Sequence, residues 1–189
     1  MKRSTLILSI FLVLGLAAAC VKQSLQSTYD KQTSYIDNFV ATQMKADTTA
    51  TLTRNGGSYR LTLADTLDRV FGERDSLKEG NRVAFWYACF TLTGNSISSS
   101  NLVATNVREV AEMAKWTLAD STNIFHLDTI RVDKKLVEGL YRGLLGVQQF
   151  DHGYVLFTGE YGFGNMARGT IPARSALVYQ FIIDEIFDD

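Results

Sequence analysis

Four side chains have types that commonly carry chemistry, but their spacing argues against most catalytic sites. Cys20 and Cys89 form no CxxC pair, so neither a redox pair nor a disulfide framework is indicated. His126 and His152 lack neighbouring Cys, His or carboxylate residues at the spacing of a metal site. No order of Ser, His and Asp suggests nucleophilic catalysis. We therefore expect no metal and no cofactor, and look instead to Cys20 and to binding surfaces.

Cys20 has a special context because it follows an apolar segment. Residues 2 and 3 are basic, and residues 6–19 are all apolar or small. This run is shorter than the about 20 residues that span a membrane, and it fits a secretory signal. Three alanines directly before Cys20 resemble the bacterial lipoprotein signal, in which the cysteine is acylated. The alternative is an ordinary signal peptide cleaved after Ala19, which would leave Cys20 free.

A lipid on Cys20 would anchor the protein to a membrane without spanning it. Residues 21–24 contain no acid, whereas lipoproteins displayed outside some bacterial cells carry acidic residues there. We therefore expect a cell-envelope protein anchored to the outer membrane and facing the periplasm. The formal net charge of −1 gives no reason to expect a nucleic-acid partner.

The first half of the chain combines one helix with several strands. Apolar residues at helical spacing predict a helix at about 29–45, and residues 21 to about 30 before it are polar and are expected to form a short tether. Two glycines after Asn55 separate the alternating runs 50–53 and 58–63, which is typical of a β-hairpin. Residues 83–92 are apolar on both faces of a predicted strand, so this strand should lie inside a sheet.

The second half predicts two further helices and more strands. Residues 106–116 carry a helical apolar stripe that Asn106 can cap. Residues 136–147 form another helix with three glycines, each costing about 1 kcal/mol relative to alanine, which suggests close contact with a curved sheet. A short strand or loop is expected at 125–132, and strands are expected at 154–158 and in the alternating final segment. We therefore predict an α+β fold, a curved antiparallel sheet wrapped around a short helix.

These segments, in this order, resemble FKBP-type peptidyl-prolyl cis-trans isomerases, the immunophilins. The resemblance covers about residues 80–186 and rests on six short motifs. The matched segments and family motifs are 80–87 with G-x-x-V-x-V-x-Y, 93–100 with D-G-x-x-F-D-S-S, 136–140 with V-I-x-G-W, 161–164 with Y-A-Y-G, 171–172 with I-P-P, and 177–179 with L-V-F.

The resemblance implies an FKBP-like domain at residues 58–187 that catalyses rotation about X–Pro bonds. That rotation has a barrier of ~18–20 kcal/mol because amide resonance is lost when the bond is twisted. A pocket that binds the twisted amide more tightly than the planar one accelerates the exchange without a covalent step. Residues 1–19 would then be the signal peptide, residues 20–57 a tether and N-terminal helical extension, and about 101–134 an insertion.

The resemblance also assigns a shallow apolar pocket for proline-containing or unfolded polypeptides. Core packing alone would also explain most of the residues concerned, since they are apolar and lie at helix or strand spacing. The assigned residues are Tyr87, Ile97, Ser98, Leu136, Val137, Leu140, Phe163, Ile171 and Tyr179.

Five of these residues depart from the family pattern. Ser98 replaces an aspartate and Ile97 a phenylalanine, while Leu140 replaces the tryptophan at the pocket floor. Phe163 replaces a tyrosine and Tyr179 a phenylalanine. The pocket should therefore be wider and poorer in hydrogen-bond donors. Each lost hydrogen bond to the substrate would weaken its binding by about 0.5–1.5 kcal/mol. Two functions stay open, a cell-envelope isomerase with reduced activity that assists folding, and a non-catalytic FKBP-like peptide-binding or chaperone lipoprotein. The oligomeric state also stays open.

Overall fold

The structure is a computed structural model that describes residues 2–63, 74–117 and 125–188. It divides into two compact units, Met1–Lys31 and Gln32–Asp189. The helices are α1 (Lys2–Ala46), α2 (Arg108–Met113) and α3 (Glu138–Leu144). The strands are β1 (Thr51–Asn55), β2 (Ser58–Leu63), β3 (Arg82–Thr91), β4 (Leu102–Thr105), β5 (Asp128–Arg131), β6 (His152–Phe157) and β7 (Leu177–Phe187).

Helix α1 contains the helix predicted at 29–45 and begins much earlier. Residues 21–30, expected to be a polar tether, are part of it. In the second unit its apolar stripe is buried at Ile36, Phe39 and Val40, the spacing that places residues on one helical face. Among the described residues, no helix is both long enough and apolar enough to cross a membrane.

The seven strands form one antiparallel sheet in the order β1-β2-β6-β7-β3-β4, and β5 also pairs with β3. The predicted β1–β2 hairpin is confirmed, and it turns at Gly56 and Gly57, which both have positive φ. Strand β3 lies between β7 on one side and β4 with β5 on the other. This central position confirms the prediction made from its two apolar faces.

The sheet has a separate core on each face. Residues alternate along β6, so that Val155 and Phe157 belong to one core and Leu156 to the other. We call the core that includes Leu140 and Leu144 of α3 the α3-side core. We call the core formed by Ile36, Phe39, Val40, Ala50, Leu61, Leu92, Leu156, Ala176 and Val178 the α1-side core.

Two glycines allow α3 to lie directly on β6. A Cβ atom at Gly139 would lie 2.1 Å from Cγ of Phe157, and one at Gly143 would lie 2.2 Å from Cγ1 of Val155. Any larger residue would therefore push the helix away from the sheet. The prediction that this glycine-rich helix packs against a sheet is confirmed.

Helix α2 is shorter than predicted, and Asn106 does not cap it. The N-cap residue is Val107, and the helix is followed by Lys115 in the left-handed region with φ of 57°. The buried Asn106 amide instead accepts a hydrogen bond from the Tyr87 backbone N–H at 2.7 Å and donates one to the Phe85 carbonyl at 3.0 Å. Asn106 therefore satisfies β3 at the point where the chain leaves the sheet.

Candidate peptide-binding site

Most of the predicted pocket residues lie in or against the α3-side core. Three of them are buried members of that core, and four are half-buried residues packed against it. The buried residues are Leu140, Ile171 and Tyr179, and the half-buried residues are Tyr87, Leu136, Val137 and Phe163.

The strands and helix that carry these residues are already close neighbours in the sheet. Tyr87 lies on β3 and Tyr179 on β7, and the backbone partner of Tyr179 in the sheet is Cys89. Val137 is the N-cap residue of α3, one turn before Leu140. Side chains two residues apart on a strand share a face, which brings Tyr87 and Cys89 to the same side.

Aromatic rings form a continuous row across this face. The ring centroids of Tyr87 and Tyr179 are 6.0 Å apart at an interplanar angle of 41°. Tyr179 also stacks on Phe157 at 6.0 Å, and Phe85 stacks on Tyr87 at 5.3 Å. Aromatic pairs at this separation attract each other beyond the effect of their burial. The row therefore gives one side of the site a rigid aromatic wall.

Phe163 and Ile171 are brought to the site by a long loop whose ends meet. A Cβ atom at Gly159 would lie 2.5 Å from the carbonyl carbon of Arg174, so these two residues are in direct contact. Segments of this length with adjoining ends are Ω-loops, which pack by their own side chains. The Thr170 hydroxyl further joins the loop to β4 by donating to the Val103 carbonyl at 3.1 Å.

The buried side chain of Gln32 on α1 holds both ends of this loop. Its amide nitrogen donates to the Arg174 carbonyl at 2.5 Å, and its amide oxygen accepts from the Gly159 N–H at 2.9 Å. On the other side, the Gly139 N–H of α3 donates to the Tyr161 carbonyl at 2.8 Å. One glutamine and one helix terminus thus fix the loop that carries two site residues.

Ile97 and Ser98 are not brought together with the other seven residues. Ile97 packs against the α1-side core and against a small cluster of Ala88, Phe90 and Leu102. Ser98 is exposed, and its hydroxyl donates to Oδ1 of Asn101 at 2.6 Å. Neither residue packs against the core that contains the aromatic row.

Burial keeps the polar groups of the aromatic row uncharged. It raises the pKa of the Cys89 thiol to about 12, although a hydrogen bond with Tyr179 acts in the opposite direction. Burial, and then the neighbouring Cys89, raise the pKa of Tyr179 well above its usual value. Loss of solvent disfavours the ionised form of both groups. The thiol and the phenol therefore act as neutral hydrogen-bonding partners.

Asp128 is a site neighbour that the sequence did not reveal. Burial raises the pKa of Tyr87 first, and the negative charge of Asp128, with which Tyr87 forms a hydrogen bond, raises it further. Asp128 opens β5, inside the segment interpreted as an insertion. The sequence indicated only a short strand or loop at 125–132. In the described residues, no three His, Cys, Asp or Glu side chains converge to hold a metal ion.

Solved structures with this architecture have low sequence identity to the chain. Wheat FKBP73, in a structure of its three FKBP domains, is 15% identical with a TM-score of 0.54, over 74% of this chain and 52% of that chain. A peptidyl-prolyl cis-trans isomerase of Pseudomonas syringae pv. tomato is 11% identical with a TM-score of 0.54, over 86% and 96% of the two chains. FkpA of Escherichia coli is 15% identical with a TM-score of 0.51, over 94% and 71%. The fold is that of an FKBP-type peptidyl-prolyl isomerase.

This likeness confirms the predicted α+β, FKBP-like fold. No family sequence model and no curated protein sequence matches the chain. The matched region spans about half of the wheat chain, which holds several FKBP domains. At these identities the likeness establishes the FKBP-type fold, and function has to be inferred from the site.

Proposed function

We propose that this protein is a peptidyl-prolyl cis-trans isomerase of the cell envelope that assists protein folding with reduced activity. Its substrates are proline-containing or unfolded polypeptides. One observation carries the proposal, the grouping of Tyr87, Val137, Leu140, Phe163 and Tyr179 around one face of an FKBP-type sheet. Half-buried apolar residues at the edge of a core are suited to receive a small apolar ring such as that of proline.

The reaction needs no covalent chemistry. An apolar wall that fits the twisted X–Pro amide better than the planar amide lowers the barrier to rotation. The aromatic row and the half-buried Val137 and Phe163 can supply such a wall. Phe163 and Leu140 carry no hydrogen-bond donor, so few groups are available to orient the substrate carbonyls. We therefore expect catalysis that is measurable but weak.

A second candidate is a peptide-binding or chaperone protein without catalysis. It is favoured by the engagement of the two hydroxyl groups nearest the site. The Tyr87 hydroxyl is hydrogen-bonded with Asp128, and the Tyr179 hydroxyl with Cys89. Hydroxyl groups that already have partners gain less from a substrate carbonyl. The two candidates share the same binding surface and differ only in the rate of isomerisation.

An isomerisation assay on the full chain in detergent tests the proposal. Val137→Asp places a charge at the apolar edge, yet aspartate is a favourable N-cap residue, so α3 should still form. We expect this variant to lose both catalysis and peptide binding. Ile182→Asp is the matched control because Ile182 on β7 is 53% exposed. If the wild type shows no catalysis but still suppresses aggregation of an unfolded protein, the second candidate replaces the first.

We also propose that the protein is held in the envelope by a lipid on Cys20, facing the periplasm. Support comes from the apolar segment and the three alanines before Cys20. Mass spectrometry of the membrane-extracted protein should find a diacylglycerol modification on Cys20, and Cys20→Ala should move the protein to the soluble fraction. Cys89→Ala is the control and should stay with the membrane. An unmodified Cys20 in membrane extracts would refute the anchor.

A further inference from the structure

Strands β4 and β5 pair with the same edge of β3 and leave a gap between them. Strand β4 pairs with residues 88–90 and β5 with residues 82–85 of β3. Tyr87 lies in the gap, where its carbonyl accepts a hydrogen bond from the Thr105 hydroxyl at 2.7 Å. The chain leaves the sheet after Thr105 and returns at Asp128. A break in the strand pairing therefore lies at a residue of the candidate site.

A surface pocket of about 340 Å³ lies beside this gap, whose backbone groups at Phe85 and Tyr87 are bonded by Asn106. A volume of this size is at the lower end of the range of small-ligand sites, about 300–1,000 Å³. The residues that matter for its chemistry are Tyr87, Val103, Thr105, Trp116, His126 and Asp128. The pocket is thus built from both sides of the gap and from the residues just after α2.

The pocket pairs a carboxylate with aromatic rings. Asp128 is held from two directions, by the hydrogen bond with the Tyr87 hydroxyl and by His126, whose Nε2 lies 3.5 Å from Asp128 Oδ1. The Asp128 side chain remains 32% exposed, so it can still meet a ligand. Trp116 adds an indole ring, the side chain whose face attracts cations most strongly. A carboxylate beside an indole and a phenol selects for a positively charged group.

We propose that this pocket is a subsite for a lysine or arginine side chain that neighbours the proline of a bound polypeptide. The inference rests on the proposed function, because Tyr87 lines the pocket and also belongs to the aromatic row. If a proline binds at that row, the neighbouring residue of the peptide can therefore reach the pocket that contains Asp128. An acidic side chain would be repelled at the same place, and Val103 favours the aliphatic stem of a basic side chain.

Peptide binding, measured separately from catalysis, tests the subsite. Trp86→Phe leaves Trp116 as the only tryptophan of the full chain, so its fluorescence reports on the pocket. The probes are acetyl-Ala-Xaa-Pro-Phe-amide peptides with lysine, norleucine or glutamate at Xaa. All measurements share one buffer at pH 8. We expect the lysine peptide to bind about fivefold more tightly than the norleucine peptide, and the glutamate peptide to bind most weakly.

Asp128→Asn should abolish the preference for lysine over norleucine, because the amide keeps the shape of the side chain and loses its charge. Glu112→Gln is the matched control, since it removes one charge from an exposed residue of α2 that does not line the pocket. Circular dichroism checks that each variant is folded. Trp116→Leu, read by calorimetry, offers a second variant and should also weaken the preference.

The outcomes separate the subsite from the isomerase activity. Equal binding of the lysine and norleucine peptides, survival of the preference in Asp128→Asn, or no binding of any peptide would each overturn the subsite. A lysine preference that Asp128→Asn removes, found together with no isomerisation of any peptide, supports the subsite and overturns the isomerase proposal.

Discussion

The two faces of the sheet are closed by different kinds of side chain. On the α1 side, Phe39 packs edge-on against Tyr154 with ring centroids 5.1 Å apart, among mainly aliphatic neighbours. On the α3 side, the core contains a buried thiol and a buried phenol, Cys89 and Tyr179, next to the half-buried Tyr87. The first core is built around α1 from apolar side chains, whereas the second core includes a thiol and a phenol among its buried members.

This difference separates stability from ligand binding. Burial of Ile36 and Phe39 contributes free energy of folding and offers no surface to a ligand. Buried polar groups cost free energy unless they are paired, so a face that retains them carries a specific arrangement of partners. Changes in the α1-side core, to which Gln32 does not belong, should therefore alter stability alone, and changes on the α3 side should alter both stability and peptide binding.

Phe39→Ala should have the largest effect. The side chain is 2% exposed, and truncating a buried phenylalanine costs about 3–5 kcal/mol in the free energy of unfolding. Met44→Ala on the same helix, at 38% exposure, should change it by less than about 0.5 kcal/mol. Urea unfolding measures both. Peptide binding per folded molecule should be unchanged in Phe39→Ala, and its loss would contradict the separation of the two faces.

Gly139→Ala should damage both properties at once. The new methyl group would lie 2.1 Å from the Phe157 ring, and such overpacking costs about 1–3 kcal/mol. Since α3 must move to accept it, Val137 and Leu140 would move as well, and peptide affinity should fall. Gly94→Ala is the control because nothing lies within 4 Å of its Cβ position. Full peptide affinity in Gly139→Ala would show that α3 does not position the site.

Stability should decline in alkali because of the thiol on the α3 side. The pKa of Cys89 rises from 9.0 to about 12 on folding, so between these values the folded chain holds a proton that the unfolded chain has lost. The stabilisation is complete below pH 9 and falls above it by up to about 1.4 kcal/mol per pH unit. Unfolding in reducing buffer at pH 8, 9 and 10 should show a shallower decline for Cys89→Ala. Parallel declines would exclude Cys89 as the cause.

The smallest effects should distinguish the two tyrosines. Tyr179→Phe removes one hydrogen bond with Cys89 and should cost about 0.5–1.5 kcal/mol without changing the lysine preference of the pocket. Tyr87→Phe frees Asp128 of a partner and should change that preference at a similar cost in stability. Urea unfolding and peptide titration measure both properties. Identical peptide profiles for the two variants would show that Tyr87 and Asp128 do not act together.

Much of the architecture could be predicted because its signals are local. The glycines at 139 and 143 predict close contact between a helix and a sheet, and Gly56 and Gly57 predict the hairpin turn. The double apolar face of residues 83–92 located the central strand. Each of these signals depends on the conformational preference of a residue or on the periodicity of apolar residues, and both can be read from a short stretch of sequence.

The misplaced residues depend on contacts between distant segments. Ile97 and Ser98 were assigned to the pocket, yet Ile97 packs against the α1-side core and Ser98 is exposed. Asn106 has the residue type of a helix cap, but its side chain instead donates a hydrogen bond to the Phe85 carbonyl of β3, in the gap between β4 and β5. Asp128 gains its importance only from the return of β5 to β3. Short-range patterns do not encode where a connecting segment re-enters a sheet.

Gln32 gives the long loop a property that its own sequence does not contain. One side chain of α1 bonds the backbone at both ends of the loop, at Gly159 and Arg174, so losing Gln32 would remove a contact from each end. The loop would then depend on its bonds to α3 and β4, through Tyr161 and Thr170. The helix that packs on the opposite face of the sheet thus also fastens the loop that carries Phe163 and Ile171.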